Sequence, residues 1–211
     1  MQILDYNLTD NYMLTPDDSA GRYLLWVPDS TSVVIGNGSK SELEVNDETV
    51  ASDNVPVYKR RTGGCAVVLS PEMWCLSCAL YGRKQIQSKD YFVLFNKAVT
   101  DAFARAGVPG LTHRGISDIA LGQKKIAGTA IYRNRDLVFY HAVINISGDV
   151  EQISRYLKQP PREPDYRAGR SRKVFVTTLS DAGFSPSREK FESEFKKEFE
   201  RIVELLTVVY C

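Results

Sequence analysis

Long apolar runs are missing from this chain: none of its 211 residues belongs to a stretch approaching the ~18 apolar residues that a membrane span needs. The opening MQILDYNLTDNYMLTPDD is acidic where a secretory leader is basic, so a cytoplasmic location is expected. Cysteine is scarce. Cys65, Cys75, Cys78 and Cys211 are too few for a disulfide scaffold at this length and suit a reducing compartment. Charge of one sign is also lacking, with 27 Lys and Arg against 26 Asp and Glu. A net charge of +1 gives no global field for nucleic acid or an anionic membrane, so any basic site must be local. Apolar residues are in ordinary supply, and 43% hydrophobic with 25% charged excludes a disordered chain.

The apolar pattern falls into short strand-like pieces at residues 23–27, 32–35, 66–69, 74–80, 119–121, 125–132 and 137–146, several separated by turn residues, which predicts antiparallel pairing. Three segments read as helix. The first opens at Ser88 as N-cap, carries Phe92, Phe95, Val99, Ala102 and Ala106 at three- and four-residue steps, and stops at Gly107. A short second one begins at Asp149, with Gln152 three residues on in a loose capping box, and ends before Pro160 and Pro161. The third has Ser185 as cap, Pro186 at the first helical position, and a stripe of Phe191, Phe195, Phe199, Ile202 and Leu206. No repeat or linker divides the chain, so residues 1–211 are expected to form one α+β domain, a mainly antiparallel mixed sheet with packed helices.

Two stretches carry chemistry. Residues 59–68 (KRRTGGCAVV) run from a basic cluster through Gly63-Gly64 into a strand. Paired glycines allow close approach of backbone N–H groups to a ligand, and the arginines offer forks for phosphate or carboxylate. The alternative is a plain hairpin. In residues 113–130 (HRGISDIALGQKKIAGTA), Gly122-Gln123 reads as a two-residue turn with Gly first, which pairs Leu121 with Lys124 and Ala120 with Lys125. That register puts Asp118, Ala120, Lys125 and Ala127 on one face and makes Asp118 and Lys125 diagonal neighbours. The pair is then either the floor of a small-residue pocket or a surface ion pair worth ~0–1 kcal/mol. The densest basic stretch, residues 166–173 (YRAGRSRK), reads as a solvated surface loop.

The Cys75-x-x-Cys78 pair follows Trp74 in an apolar strand, where residues three apart face opposite ways. Zinc would need two more ligands, and His113 and His141 are the only histidines. Buried core cysteines are the expected outcome.

Together these stretches resemble the catalytic domain of lipoate-protein ligases, in the biotin and lipoate ligase superfamily with its class II synthetase-like fold. The family's Arg-Arg-x-Ser/Thr-Gly-Gly-Gly-Ala-Val run is matched by Arg60 to Val67. Its Asn-Asp, strand, turn, Lys-Val/Ile-Ser/Ala-Gly-x-Ala element is matched by Ser117-Asp118 and by Lys125, Ile126, Ala127, Gly128, Thr129 and Ala130. Its His-Gly-Thr-Leu-Leu-Leu-Asn strand is approximated from His141 to Ser147, and the likeness extends over residues 23–179. Cys65 stands where the family has a third glycine, and Ala142 and Ser147 depart from the histidine strand.

The resemblance implies a ligase that activates lipoate or octanoate with ATP and Mg²⁺ as an acyl-adenylate. It then passes the acyl group to a lysine of a lipoyl carrier domain, of the 2-oxoacid dehydrogenases or the glycine cleavage H protein. Lys125 and Asp118 are the implied catalytic residues, Asp118 holding the incoming amine or a Mg²⁺ ion. Arg60, Thr62, Gly63, Gly64, Cys65, Ala66, Val67, Ala127, Gly128, Ala130 and His141 are the implied acyl-adenylate contacts. No nucleic acid, membrane or resident metal site is implied. The absence of the longer ligases' C-terminal accessory domain implies a separate protein that assists adenylation. Two other readings stay open: a transferase passing the acyl group through a cysteine thioester, for which Cys65 is the one candidate in a motif, and a non-catalytic homologue that binds the adenylate.

Overall fold

The computed structural model describes residues 2–82 and 85–206; Cys211 lies outside them. The strands are β1 (Ile3–Asp5), β2 (Gly21–Trp26), β3 (Ser32–Ile35), β4 (Val57–Lys59), β5 (Val67–Leu69), β6 (Met73–Tyr81), β7 (Leu111–Arg114), β8 (Asp118–Leu121), β9 (Lys124–Arg133) and β10 (Leu137–Asn145). The helices are α1 (Ser41–Glu44), α2 (Asp47–Ser52), α3 (Ser88–Arg105), α4 (Val150–Tyr156), α5 (Arg172–Phe175) and α6 (Arg188–Leu205). Six strands form one sheet in the order β2-β6-β10-β9-β8-β7, and four form a second in the order β1-β4-β3-β5. The large sheet is antiparallel throughout, and the parallel pairings β1 with β4 and β3 with β4 belong to the small one. The α+β architecture expected from the pattern is the one observed.

Alternation along β6 and β10 decides what lies on each face. Leu76, Cys78, Leu80, Tyr140 and Ile144 meet α3 and α6 in the main core, while Cys75 joins Trp26, Val34 and Leu69 between the two sheets. The two cysteines of the Cys-x-x-Cys pair therefore face opposite ways, both free and buried. The α6 stripe of Phe191, Phe195, Phe199, Ile202 and Leu206 is buried as its spacing predicts. On α3, Tyr91 takes the core place expected for Phe92.

Two helix starts are corrected. Ser88 is the first helical residue of α3, not its cap, because the Gln87 carbonyl accepts from the Asp90 and Tyr91 N–H groups at 3.0 and 3.2 Å and closes the first turn on main chain. α6 is capped by Ser187, two residues beyond Ser185, through a 3.2 Å bond from the Lys190 N–H, and Pro186 precedes the cap. Asp149 does cap α4, accepting from the Glu151 N–H at 2.8 Å. Gln152 donates instead to Thr31 at 3.3 Å, so the box is not closed.

Phe191 sits where α6, α3 and β6 meet, its ring 4.2 Å from Phe103 and 5.8 Å from Trp74 by centroid. Phe191→Ala should cost about 3–5 kcal/mol in urea unfolding, the scale of a buried aromatic truncation. A loss under about 1 kcal/mol would contradict this placement of the core.

Candidate active site

The face of the large sheet turned from the helices is the floor of a cleft of about 780 Å³. Strand register assembles that floor. Trp26 pairs with Cys75, Cys75 with Val143, Val143 with Gly128 and Gly128 with Asp118, so five strands contribute one row. A second row runs Leu24, Ser77, His141, Ala130.

At one end of the first row lies the predicted ion pair. Gly122 takes a φ of 58°, as a turn with Gly first requires, and Leu121 pairs with Lys124 and Ala120 with Lys125. Beyond that the register shifts, so that Ile119 opposes Ala127 and Asp118 opposes Gly128. The extra residue is Ile126, a β-bulge. It turns Ala127 into the core beside Ile119 and Ile126, correcting its expected position on the Asp118 face, and brings Gly128 to the cleft instead. Lys125 Nζ reaches Asp118 Oδ1 at 2.6 Å, with the two side chains 28% and 7% exposed, so this is a cleft-wall pair and not a solvated one. Its lysine lies across Gly128, where a Cβ would stand 3.1 Å from Nζ. The main chain of Lys125 is held from the other side by the Thr177 N–H, 3.0 Å from its carbonyl oxygen.

The Gly-Gly loop wraps around a buried arginine. Arg60 is 5% exposed and donates from Nε to Thr62 Oγ1 at 2.8 Å, from Nη1 to the Val34 carbonyl at 2.9 Å, and from Nη2 to the carbonyls of Gly63 and Cys65 at 2.8 and 2.9 Å. Its fork holds the loop from beneath and is not open to a phosphate in this arrangement. Burial lowers its pKa to about 10. Gly64, at φ 89°, stacks its carbonyl on Gly36, where a Cβ would come within 2.0 Å of the oxygen. Only glycine fits at 36. Glu44, also buried, fixes the far side by accepting from the Ala66 N–H at 2.5 Å.

Among the expected ligand contacts, Arg60, Gly64, Cys65, Ala66, Val67, Gly128, Ala130 and His141 line the cleft with Asp118 and Lys125. Thr62, Gly63 and Ala127 do not. Thr62 stands behind the wall, its Oγ1 2.8 Å from His141 Nε2. Thr62 Oγ1 accepts from Arg60, and its own hydroxyl proton has His141 Nε2 as its acceptor in the tautomer protonated at Nδ1. Burial and then the Arg60 charge lower the His141 pKa to about 3, so its ring is neutral. The Cys65 thiol is pushed up by burial and by Glu44.

Residues 158–176 form the opposite wall, which their sequence does not reveal. Tyr166 donates to Asp118 Oδ2 at 2.9 Å. Arg167, in a stretch that reads as solvated, is 3% exposed and bound to the Arg170 carbonyl and Gln159 at 2.9 and 2.8 Å. Arg172 donates to the carbonyls of Leu157 and Lys158 at 2.9 and 2.7 Å. Most of the basic stretch is therefore spent ordering this wall. The far end of the cleft, also unforeseen, holds a buried carboxyl: Asp10 accepts from Tyr6 at 2.6 Å and Ser77 at 2.5 Å, and burial raises its pKa. No group of three or more His, Cys, Asp or Glu residues placed to hold a metal occurs among the described residues.

The structure is thus a two-sheet α+β fold with a glycine-rich loop and a lysine-carboxylate pair on one cleft. Residues 5–200 match the model of the lipoyl protein ligase A/B catalytic domain, and the chain belongs to that family. It is 25% identical over 189 residues to lipoate-protein ligase 1 of Staphylococcus aureus, covering 89% of this chain and 56% of that protein. The chain thus spans about half the length of the curated relatives it matches. Its fold is shared with a bi-partite lipoate protein ligase of Thermoplasma acidophilum, described with its E2 lipoyl domain (TM-score 0.76, 19% identity, 96% of this chain and 82% of that one). It is shared too with lipoate-protein ligase A bound with ATP (TM-score 0.74, 19% identity, 94% and 78% covered).

The neutral His141 makes a pH prediction. The unfolded chain binds a proton at this residue below about 6.5, whereas the folded chain resists until about 3. The unfolded state therefore holds more protons in that window, and His141 makes stability fall as pH drops through it. His141→Asn should flatten the slope of unfolding free energy between pH 7 and 4.5 (about two units inside the window); an unchanged slope would contradict a ring held neutral.

Proposed function

We propose that this chain carries out lipoate-protein ligation through an acyl-adenylate. The observation that carries this reading is the Lys125 ammonium held at 2.6 Å by Asp118 over Gly128, on the wall of a largely apolar-lined cleft of about 780 Å³. In the first step a carboxylate oxygen of lipoate attacks the α-phosphorus of ATP, and the bond to pyrophosphate breaks. In the second the ε-amine of a lipoyl-domain lysine attacks the acyl carbon. The C–N bond forms, the bond from acyl carbon to phosphate oxygen breaks, AMP leaves, and the amine's proton passes through Asp118 to water. Negative charge builds on the α-phosphate and then on the acyl oxygen, and one fixed ammonium placed between them stabilises both. The apolar side chains of Val34, Ala66, Val67, Val143 and Trp26 supply the wall for the lipoyl chain.

Mg²⁺ belongs to this reading only as an ion carried by the triphosphate. Asp118 already bonds the Lys125 ammonium and the Tyr166 hydroxyl, and a magnesium ion on this carboxylate would lie against that ammonium, a like-charge repulsion that disfavours it. A thioester route is disfavoured by the raised pKa of the Cys65 thiol, since the thiolate is the nucleophile. The described cysteines are free and no described helix is long and apolar enough to cross a membrane, and we place the reaction in the cytoplasm. The bi-partite Thermoplasma ligase supports assigning any assistance in adenylation to a second polypeptide.

The test is intact-mass measurement of an apo lipoyl domain incubated with preformed lipoyl-adenylate and the protein. Lys125→Ala should slow acyl transfer by ~10²-fold or more, the scale of losing one transition-state charge stabiliser. Lys124→Ala, one residue away on the exposed turn, should change it little. Equal effects of the two substitutions would refute the assignment.

A further inference from the structure

The two partners of Asp118 differ in kind. Lys125 is built into the same sheet, while Tyr166 arrives from the 3-10 turn Asp165–Arg167 on the opposite wall. The Tyr166 ring is seated by the Arg114 guanidinium 5.1 Å from its centroid and by the Phe175 ring, also at 5.1 Å. Gly115, at φ 59°, lies against the ring edge, where a Cβ would stand 3.7 Å from Tyr166 Cε1. Burial, then the charge of Asp118, raises the phenol's pKa, so the group at Oδ2 is a neutral donor. An ammonium bonds a carboxylate more strongly than a neutral hydroxyl does.

Asp118 has 7% of its side chain exposed, and an unpaired carboxylate oxygen at that depth would be costly between turnovers. The hydroxyl of Tyr166 meets that need without filling the site with charge. The rim beside it is open, since Ile116, next to the lining residues Arg114 and Gly115, is 77% exposed.

Resting on the ligase reading above, we propose that the Tyr166 hydroxyl is a placeholder at Asp118 Oδ2, displaced by the ammonium of the acceptor lysine when the carrier domain docks; the ammonium passes one proton through Asp118 to water to become the attacking amine, and its second proton leaves by the same route as the amide forms. Tyr166 is then a positioning residue that sets how tightly the acceptor amine is held. The occupied Lys125 corner stays intact during the exchange, so acceptor binding and charge stabilisation use different oxygens of one carboxylate. Competition for Oδ2 keeps the acceptor's affinity low, and removing the competitor should raise it.

Tyr166→Phe keeps the ring and its packing and deletes only the competing donor. With the full chain, preformed lipoyl-adenylate and an apo lipoyl domain, the KM for the carrier should fall about tenfold, the equivalent of one hydrogen bond to a charged acceptor. kcat should change little. Nα-acetyl-lysine amide, which has no docking surface, should show the same fall, separating exchange at Asp118 from altered docking of the domain. A KM that is unchanged or raised for both acceptors, in a protein where the unaltered chain transfers, would overturn the inference alone. Failure of the unaltered chain to transfer from lipoyl-adenylate would overturn the ligase reading, and this inference with it.

Discussion

The 2.6 Å contact between Lys125 and Asp118 is the constraint around which the cleft is arranged. A lysine at the second position of a hairpin strand would ordinarily swing into water, because a long stem and a hydrated head favour exposure. Three features prevent it here. The bulge at Ile126 brings Gly128 opposite Asp118, the missing side chain at Gly128 leaves room for the lysine stem, and the Thr177 N–H pins the strand from outside. Each is a backbone feature, so the placement of the charge depends on the sheet and not on a mobile loop.

The second organising group is Arg60, whose charge is buried and directed at main-chain oxygens. A guanidinium in that position ties the Gly-Gly loop down before any ligand arrives, since four of its N–H groups hold Val34, Thr62, Gly63 and Cys65. The same charge, with burial, keeps His141 neutral, and His141 in turn meets the hydroxyl that Arg60 orients. Loop, histidine and arginine thus form one connected network in the cleft wall, and Glu44 completes it at Ala66.

Local patterns were readable and non-local ones were not. The turn at Gly122-Gln123 and its first two pairings follow from residues adjacent in sequence, and the phenylalanine stripe of α6 follows from helical spacing. The bulge had a weak signal in the consecutive apolar residues Ile126 and Ala127, which break strict alternation. β1, β4 and β5 are three residues long, too short to show any period, so the small sheet's parallel pairings were invisible. The wall of residues 158–176 was invisible for another reason: its arginines are buried by bonds to main-chain carbonyls, and nothing in YRAGRSRK distinguishes such arginines from solvated ones. Asp10, Ser77 and Tyr6 come together only because β6 passes beneath the chain's start.

The most direct test of the central claim is a crystal structure of the protein with a non-hydrolysable sulfamate analogue of lipoyl-adenylate. Lys125 Nζ should lie within hydrogen-bond distance of the sulfamate and the acyl oxygen, with Arg60 still bound to the carbonyls of Gly63 and Cys65. An analogue bound with its sulfamate away from Lys125, or held directly by Arg60 after the loop has opened, would contradict it.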